Sequence, residues 1–529
     1  MTQTQRGTPS RRSVLGGALV TGATPLVLPS RADAATSYAP ARYKNKKRAP
    51  LLSAADRHLV SRFSYGVTPA LAKQVRAAGG ARKWFEKQLA GGPASDPGTT
   101  GLRDWWAPGL SYTGNAGAAA LWDRQKREVE GGWEVMANYA RWALARRIRS
   151  NRQVLEIMSE FWENHFNVPV NGDAAFTWRT DYGMVIRANA LGSFAGLLRA
   201  AILHPSMGIY LSNAVSTKSA PNENLGRELL ELHTVGRTAG YTEDDVKSSA
   251  RILTGYRVAM WQDFSWSYRP QDHWTGQVTV LGKTWANAQA DGQQVAKEYL
   301  DFLARRPETA RRIARKLCVK FVSDRPSDAL VERLARVYLD NGTQIKPVLR
   351  ALVASSEFRS SVGKKVRDPG EDVVATYRLL RVSLSKPAND NAAANAVLWQ
   401  AAGLGSSPFS WPRPDGQPVN NEAWSSPSRM LASMDTHYVM SGGWWPTVGI
   451  GYRSPKAWAG KLPIRFDKLV DKLSQEILHK RSTAALLEAC CKATGTGPRA
   501  RITAKHAVIQ WDFPRLLTTF FDSPDFYLR

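Results

Sequence analysis

The stretch from Pro221 to Gly255 predicts two helices joined by a glycine-punctuated turn, and no other part of the chain limits the fold as strongly. Asn222 is a good N-cap, because its side-chain oxygen can accept a hydrogen bond from the first turn of a helix. Gly236 suits the end of that helix, since glycine takes up a positive φ at little cost. Thr242 and Asp245 have the spacing of a capping box, which predicts the start of the second helix.

One face of the first predicted helix combines acidic and apolar side chains. Asn224, Glu228 and Glu231 fall at i, i+4 and i+7, and His233 lies just past them. Three leucines form a stripe on the adjacent face: Leu225, Leu229 and Leu232. Carboxylates and an imidazole beside an apolar stripe are typical either of a reaction site or of surface charge, and the pattern does not separate the two.

We expect a catalytic centre made of Glu228, Glu231, His233 and His165, the last from a predicted helix over Gln153 to Phe166. Two carboxylates with imidazoles suit general acid–base catalysis or a hard or borderline metal ion. Further residues are expected to line the same pocket or bind its ligand: Glu163, Asn222, Glu223, Arg227, His204, Arg251, Trp411 and Trp424. The alternative is a structural network in which Arg227, Arg251 and their neighbours neutralise these carboxylates, because charges inside a helical core usually need partners.

Several catalytic motifs are absent from the sequence. A ferritin-like di-iron site needs two Glu-x-x-His helices, and the chain has one such spacing, Glu476 to His479. There is no His-Glu-x-x-His motif, no Gly-x-Ser-x-Gly elbow and no phosphate-binding glycine loop. These absences count against common hydrolases and nucleotide enzymes, and they leave both the metal and the cofactor unknown.

Helical periodicity dominates the rest of the chain. With 529 residues, 43% of them hydrophobic, the chain can bury a large core. We predict a mainly α fold, a large multi-helix body with a small β insertion near residues 258–285, where Gln277–Leu281 has the pattern of a strand. Residues 51–529 are predicted to form a single large helical domain, with a subdivision near residues 360–370 left open.

Residues 1–34 are predicted to be a targeting segment. Arg11 and Arg12 precede a mild apolar run in the order of a twin-arginine signal, and Ala32–Ala34 offers a cleavage site. The alternative is a chance arginine pair on an ordinary secretory signal. Residues 35–50 form a basic leader, and no later run of about 18 apolar residues follows. We therefore expect an exported protein, extracellular or associated with the cell envelope, with no transmembrane helix after signal removal.

The net charge is strongly positive. The chain carries +27, of which residues 1–34 account for +3, so the remainder carries +24. Such a charge favours polyanions, and export makes an anionic cell-envelope polymer or a co-exported protein a better partner than nucleic acid. Solubility outside the cell is the alternative explanation. Three cysteines, of which Cys490 and Cys491 are adjacent, predict no disulfide framework.

Two tryptophan-rich segments interrupt the helical pattern. We expect Pro408–Trp424 to lie against the polar centre, since its prolines lower the entropy lost on ordering and Phe409, Trp411 and Trp424 offer apolar anchors. A detached proline-rich spacer is the alternative. With the segment from Trp261 to Trp285, these residues offer flat faces that suit sugar rings, or else ordinary cover for the helical body.

A series of blocks along the chain resembles a large bacterial family known as domain of unknown function 1800. The blocks are Ala55–Gly66, Phe161–Phe166, His204–Met207, Asn222–Asn224, Arg227–Thr234, Gly240–Gly255, Ile313–Val322, Pro408–Trp424 and Ser523–Phe526. The chain departs from the family pattern at Arg237–Ala239 and at Asp272–His273, where the family usually has His before Asp. The resemblance covers nearly all of the chain beyond the signal, but the family name implies no activity.

Two functions are consistent with these observations. The first is an exported enzyme, with Glu228, Glu231, His165 and His233 as its polar centre, that acts on an envelope or polymeric substrate. The second is a non-catalytic envelope protein that binds an anionic polymer or a co-exported partner, for which the charge of +24 is the motivation.

Overall fold

The computed structural model describes residues 38–44, 50–91, 96–107, 109–172 and 174–529. The predicted twin-arginine signal, residues 1–34, lies outside the described residues, as do 35–37 and 45–49 of the basic leader. The described part of the leader is held by the body: the Tyr43 amide donates to Asp471 (2.7 Å), and the Arg42 guanidinium donates to the Ser482 carbonyl oxygen (3.1 Å). Residues 38–529 form one unit by their contacts.

Helices make up 59% of the structure, which confirms the prediction of a mainly α fold. The α-helices of the first half are α1 (Ala54–Arg62), α2 (Pro69–Ala77), α3 (Ala81–Ala90), α4 (Gly114–Lys126), α5 (Gly132–Arg149), α6 (Gln153–His165), α7 (Phe176–Asn189), α8 (Phe194–Ile202), α9 (Pro205–Tyr210), α10 (Glu223–Glu228) and α11 (Glu243–Ile252). Short 3₁₀ turns occur at Pro97–Thr99, Arg103–Trp106, Gly109–Ser111, Asn213–Val215, Arg237–Ala239, Pro270–Asp272 and Glu422–Trp424.

The second half continues the helical body. Its α-helices are α12 (Gln293–Ala304), α13 (Pro307–Phe321), α14 (Asp328–Asp340), α15 (Ile345–Ala354), α16 (Ser356–Arg359), α17 (Pro369–Leu380), α18 (Ala393–Gly403), α19 (Pro427–Gly442), α20 (Pro455–Ala459), α21 (Phe466–Ile477), α22 (Ala484–Thr494), α23 (Ala507–Gln510), α24 (Phe513–Phe521) and α25 (Pro524–Tyr527). Within the described ranges, none of the helices has both the length and the apolar character needed to cross a bilayer.

The strands are short and pair in antiparallel twos. The predicted β insertion consists of two hairpins rather than one: β1 (Tyr256–Val258) with β2 (Trp266–Tyr268), and β3 (Val278–Val280) with β4 (Lys283–Trp285). Later in the chain β5 (Ser383–Leu384) pairs with β6 (Ile450–Gly451), and β7 (Ile464–Arg465) pairs with β8 (Arg501–Ile502). These ribbons decorate the helical body and do not form a layer of their own.

Helix α6 runs through the core, since 12 of its 13 residues are buried. Its apolar side packs on other aromatic rings, for example Trp162 on Phe194 with the ring centroids 5.7 Å apart. Its acidic side is buried as well, because arginines from neighbouring helices neutralise it. The C-terminal residue of α6, His165, is therefore placed inside the body.

Candidate functional site

The helix caps of the central stretch are formed as predicted. The Asn222 side chain accepts a hydrogen bond from the Asn224 amide at 3.0 Å, and Thr242 and Asp245 make a reciprocal capping box. Gly236 has a φ of +86°, which suits a helix end. These interactions fix α10 and α11 relative to the turn between them.

The residues between α10 and this turn form a π-turn, Leu229–His233. Its i→i+5 hydrogen bonding inserts one residue into the helical register, a feature often found at functional sites. As a result Leu230 is buried, whereas Leu232 of the predicted stripe is only half-buried. The same shift buries His233, so the imidazole faces the core, whereas Glu231 is half-buried.

His165 and His233 are brought together, and each contacts the backbone of the other. His165 Nε2 lies 3.1 Å from the His233 carbonyl oxygen, and His233 Nδ1 lies 3.0 Å from the His165 carbonyl oxygen. A carbonyl oxygen only accepts, so both of these ring nitrogens carry hydrogen. Burial, followed by the charge of Lys316, lowers the pKa of His233 to about 3 and that of His165 well below its ordinary value. Both rings are neutral, which leaves His165 Nδ1 as an acceptor.

Lys316 of α13 forms a hydrogen bond to that acceptor. Its Nζ lies 3.0 Å from His165 Nδ1, and the ammonium donates. Burial, with a smaller contribution from Arg312, lowers the pKa of Lys316 to about 7, and Asp415 opposes the shift. A lysine with this pKa is about half neutral at pH 7, and it can act as a base or a nucleophile.

Glu228 is the half-buried carboxylate of this region. Within the described part of the chain, no side chain or amide hydrogen-bonds or forms an ion pair with it. Burial and then the charge of Glu231 raise its pKa, and Asp415 adds to the effect. Tyr210 belongs to the same region. Burial, and then the charges of Glu228 and Asp415, raise its pKa to about 12. Glu228 is therefore a carboxyl group that keeps its proton at higher pH than usual.

Glu231, the other predicted catalytic carboxylate, is paired. The Arg237 guanidinium donates to Oε1, and the Tyr241 hydroxyl donates to Oε2 at 3.2 Å. Arg312, which stands between this carboxylate and Lys316, donates through Nε to the Leu232 carbonyl oxygen at 3.1 Å. Glu231 thus anchors the Arg237–Ala239 turn, where the chain departs from the family pattern.

The carboxylates of α6 form buried ion pairs. Glu163 accepts from Arg179 at 2.9 Å and from the Tyr139 hydroxyl at 2.7 Å. Its neighbours one and two turns earlier do the same: Glu160 pairs with Arg147 (3.2 Å), and Glu156 pairs with Arg146 (2.8 Å) and Arg187 (2.7 Å). The structural network anticipated as an alternative is present here, although its arginines belong to α5 and α7.

The remaining predicted residues lie apart from the two histidines. His204 caps α9, accepting from the Ser206 amide at 3.1 Å, and packs against Tyr182 and Trp178; burial, then Arg179, lowers its pKa to about 3. The others have surface partners: Asn222 caps α10, Glu223 (3.3 Å) and Glu243 (2.7 Å) pair with Arg227, and Arg251 lies 4.7 Å from the centroid of Trp274. These residues organise the ends of α9, α10 and α11.

The segment Pro408–Trp424 lies against the end of α6, as expected. Asn167 donates to two of its carbonyl oxygens at 2.8 Å each, and Asn164 both donates to a third at 2.8 Å and accepts from that residue's amide at 2.7 Å. The loop residues in these bonds are Trp411, Arg413 and Gln417. Because the two asparagines flank His165, the loop covers the end of the helix that carries it.

Two tryptophans tie the loop to itself and to the body. Trp424 is buried and donates to the Pro418 carbonyl oxygen at 2.8 Å. Trp411 is half-buried and donates through Nε1 to Asp415 at 3.0 Å, and Arg413 pairs with the same carboxylate at 3.1 Å. The Asp415 carboxylate is therefore held on two sides, and its charge acts on both Lys316 and Glu228.

An aromatic groove of about 760 Å³ runs along the other edge of the loop, past Pro408 and Ser410. Its walls include Trp122, Trp133 and Trp261; Trp133 is 73% exposed and Trp261 60% exposed. Of the tryptophan-rich segment predicted to stack on sugars, Trp261 contributes to this surface, whereas Trp285 is buried. The groove combines open indole faces with polar rims and resembles a ligand site in size.

Sequence reasoning missed Lys316 and Tyr210 as members of the site. Lys316 belongs to a helix with many basic residues, which suggested a solvated face. The signal was its spacing: Ile313, Lys316 and Leu317 fall at i, i+3 and i+4, which places the lysine on the buried stripe of α13.

The arrangement can transfer protons, and the residues that the structure describes give no metal-binding geometry. Among them, no group of three or more His, Cys, Asp or Glu residues is placed to hold a metal ion. Lys316 has the lowered pKa of a base, Glu228 is a carboxyl group whose pKa is raised, and the charge of Asp415 acts on both. His165 sets the direction of the Lys316 amine.

Comparisons with known proteins agree with the resemblance found in the sequence blocks. No curated protein and no solved structure matches the chain. Residues 58–528 match a single family, and this range contains every residue of the site described above. The chain therefore belongs to the family described as Protein of unknown function (DUF1800).

Proposed function

We propose that the protein is an exported enzyme that carries out acid–base chemistry on a cell-envelope substrate, with Lys316 as base and Glu228 as acid. The single observation that carries the proposal is the contact between Lys316 Nζ and the neutral His165 ring, in surroundings that lower the pKa of the lysine to about 7. The twin-arginine pattern and the charge of +24 support the exported, envelope-associated part of the proposal.

Each residue has a distinct role in this proposal. The neutral amine of Lys316 takes a proton from the substrate, and His165 holds one of its N–H bonds so that the lone pair points away from the ring. Glu228, whose pKa is raised, then donates a proton to the substrate, either to its leaving group or to an atom on which negative charge develops. Asp415 raises the pKa of both groups, so the loop that carries it sets the pH at which base and acid coexist.

Trace acylation tests the base without knowledge of the substrate. The purified protein is labelled with a trace of acetic anhydride over a range of pH, and each lysine is quantified by mass spectrometry. We expect Lys316 to react as an amine with a midpoint near pH 7, well below the ordinary lysine value of about 10.4. The acid–base proposal fails if the midpoint of Lys316 lies near that ordinary value.

The aromatic groove favours a second candidate, a polymer-binding protein without catalysis. Open tryptophan faces stack on the apolar faces of sugar rings, and a strongly basic chain adds attraction for anionic glycans. Here the ligand lies along Trp122, Trp133 and Trp261, and the loop forms one rim of its site. The groove is consistent with either candidate, because an enzyme that acts on a polymer also needs a surface that holds it.

Binding of a cell-wall polysaccharide preparation, followed by tryptophan fluorescence, tests this candidate. We expect Trp133→Ala and Trp261→Ala to weaken binding at least tenfold, because burial of an exposed indole face against the apolar face of a sugar ring contributes on the order of 1.5–3 kcal/mol. Trp511→Ala is the matched control, since Trp511 is 80% exposed and lies outside the groove. Equal loss in all three variants would remove the groove from consideration.

A further inference from the structure

A second cavity lies between α1, α17, α21 and the last residues of the chain, and its volume is about 170 Å³. Four cationic side chains line it, those of Arg57, Arg367, Lys480 and Arg529, against one carboxylate, that of Asp525, among the described residues. Asp525 is already paired with Lys480. The lining therefore carries more positive charge than its one carboxylate can neutralise.

The arginines here are deeply buried but only partly hydrogen-bonded. Arg367 and Arg529 are each 4% exposed; Arg367 Nε donates to the Phe526 carbonyl oxygen (2.9 Å), and Arg529 Nη2 donates to Glu371 (2.7 Å). Within the described residues, Arg367 Nη1 and both Nε and Nη1 of Arg529 have no partner. Arg62, which is fully buried, has two more such atoms, Nε and Nη1. Buried charged donors are rarely left without an acceptor.

The same three guanidinium groups also repel one another. Burial lowers the pKa of Arg62 well below its ordinary value, and Arg529 and Arg367 lower it further. Burial and then Arg529 lower the pKa of Arg367 to about 10. The nearest compensating carboxylate, Glu371, is shared with Lys320 at 2.9 Å. A bound anion would satisfy the free donors and relieve this repulsion at once.

We propose that this cavity binds a small oxyanion, the phosphate or sulfate group of a free ion or of a phosphoester terminus, with Arg367 and Arg529 as its principal ligands. The planar fork of N–H donors on a guanidinium matches the spacing of oxyanion oxygens. His58, which also lines the cavity, is neutral at pH 7, because burial and then Arg62 lower its pKa to about 4, so the arginines and Lys480 supply the positive charge. The volume accommodates one tetrahedral group with ordered water, and it excludes a polymer chain.

Thermal unfolding of the purified full chain tests the site with inorganic phosphate and with glycerol 3-phosphate, each against sodium chloride of equal ionic strength. At 100 times the dissociation constant, we expect Tm to rise by about 2–3 °C for a chain of this size. Arg367→Met should weaken phosphate binding at least tenfold in isothermal titration. Arg367→Lys, which keeps the charge but lacks the fork, should recover only part of the loss.

Arg141→Met is the matched control, because Arg141 is a buried arginine of α5 that is 8% exposed and lies outside this cavity. Tighter binding of glycerol 3-phosphate than of inorganic phosphate would support a phosphoester terminus, and the reverse order would support a free ion. The proposal is overturned if neither anion raises Tm above the chloride control, or if Arg367→Met and Arg141→Met bind phosphate equally well.

Discussion

His437 should make the stability of the fold depend on pH. The imidazole is buried between two carboxylates, with Nε2 3.0 Å from Asp372 and Nδ1 2.8 Å from Asp522. Both ring nitrogens face acceptors, so the ring is an imidazolium. Burial lowers its pKa, but the two carboxylates outweigh burial and raise the pKa to about 9. This cation joins α19 to α17 and to the residue that ends α24.

The size of the effect follows from the two pKa values. The folded pKa of about 9 lies above the unfolded value of about 6.5, so the stabilisation is fully present below pH 6.5 and is lost as pH rises to about 9. The two values differ by about 2.5, and each pKa unit corresponds to about 1.36 kcal/mol. The contribution is therefore about 3 kcal/mol.

Urea unfolding followed by tryptophan fluorescence measures this contribution. We expect the difference in unfolding free energy between the wild type and His437→Gln to fall by about 3 kcal/mol between about pH 6 and about pH 9.5. The difference is the right quantity, because other groups with shifted pKa values contribute equally to both proteins. A constant difference across this range would refute the imidazolium and with it the reasoning from the two carboxylates.

Three further predictions use the same protein. In the same pH series Lys316→Met should behave in the opposite sense: the wild type gains stability from pH 7 to about 10.5, because the folded pKa of the lysine is lowered, and the variant lacks this gain. Glu163→Gln should lose about 3–5 kcal/mol in urea unfolding, since it leaves a buried arginine uncompensated, whereas Glu228→Gln should change stability by less than about 0.5 kcal/mol. Asn167→Ala should speed amide hydrogen exchange across Pro408–Trp424 severalfold without changing the circular dichroism spectrum, because two hydrogen bonds to the loop are lost; equal exchange rates would contradict this.

Local patterns predicted much of the fold. The caps at Asn222 and Thr242, the end at Gly236 and the helix over Gln153 to His165 depend on neighbours a few residues away in sequence, and a single sequence displays them. The π-turn is different: it shifts the register by one residue, and a stripe counted at 3.6 residues per turn therefore selected Leu232 instead of Leu230.

The candidate site depended on contacts between distant residues. His165 and His233 were expected to meet, and they do. The sequence did not show that each ring would contact the other's carbonyl oxygen, 68 residues away, or that Lys316, 151 residues from His165, would join them. The arginines that neutralise α6 likewise come from α5 and α7, and nothing in the spacing of Glu163 and Glu160 says which arginine each will meet. Charge patterns alone could not separate a paired carboxylate from Glu228, which has no partner among the described residues.

The central claim is that Lys316 is a base at neutral pH, and direct titration of its amine tests it. In protein labelled with ¹³C at lysine Cε, NMR should show one resonance that titrates near pH 7 and is absent from Lys316→Arg. Asp415→Asn should move that midpoint lower, because Asp415 raises the pKa of the lysine. If the resonance that is lost in Lys316→Arg titrates close to the ordinary value of about 10.4, Lys316 is protonated at neutral pH and the proposed chemistry is contradicted.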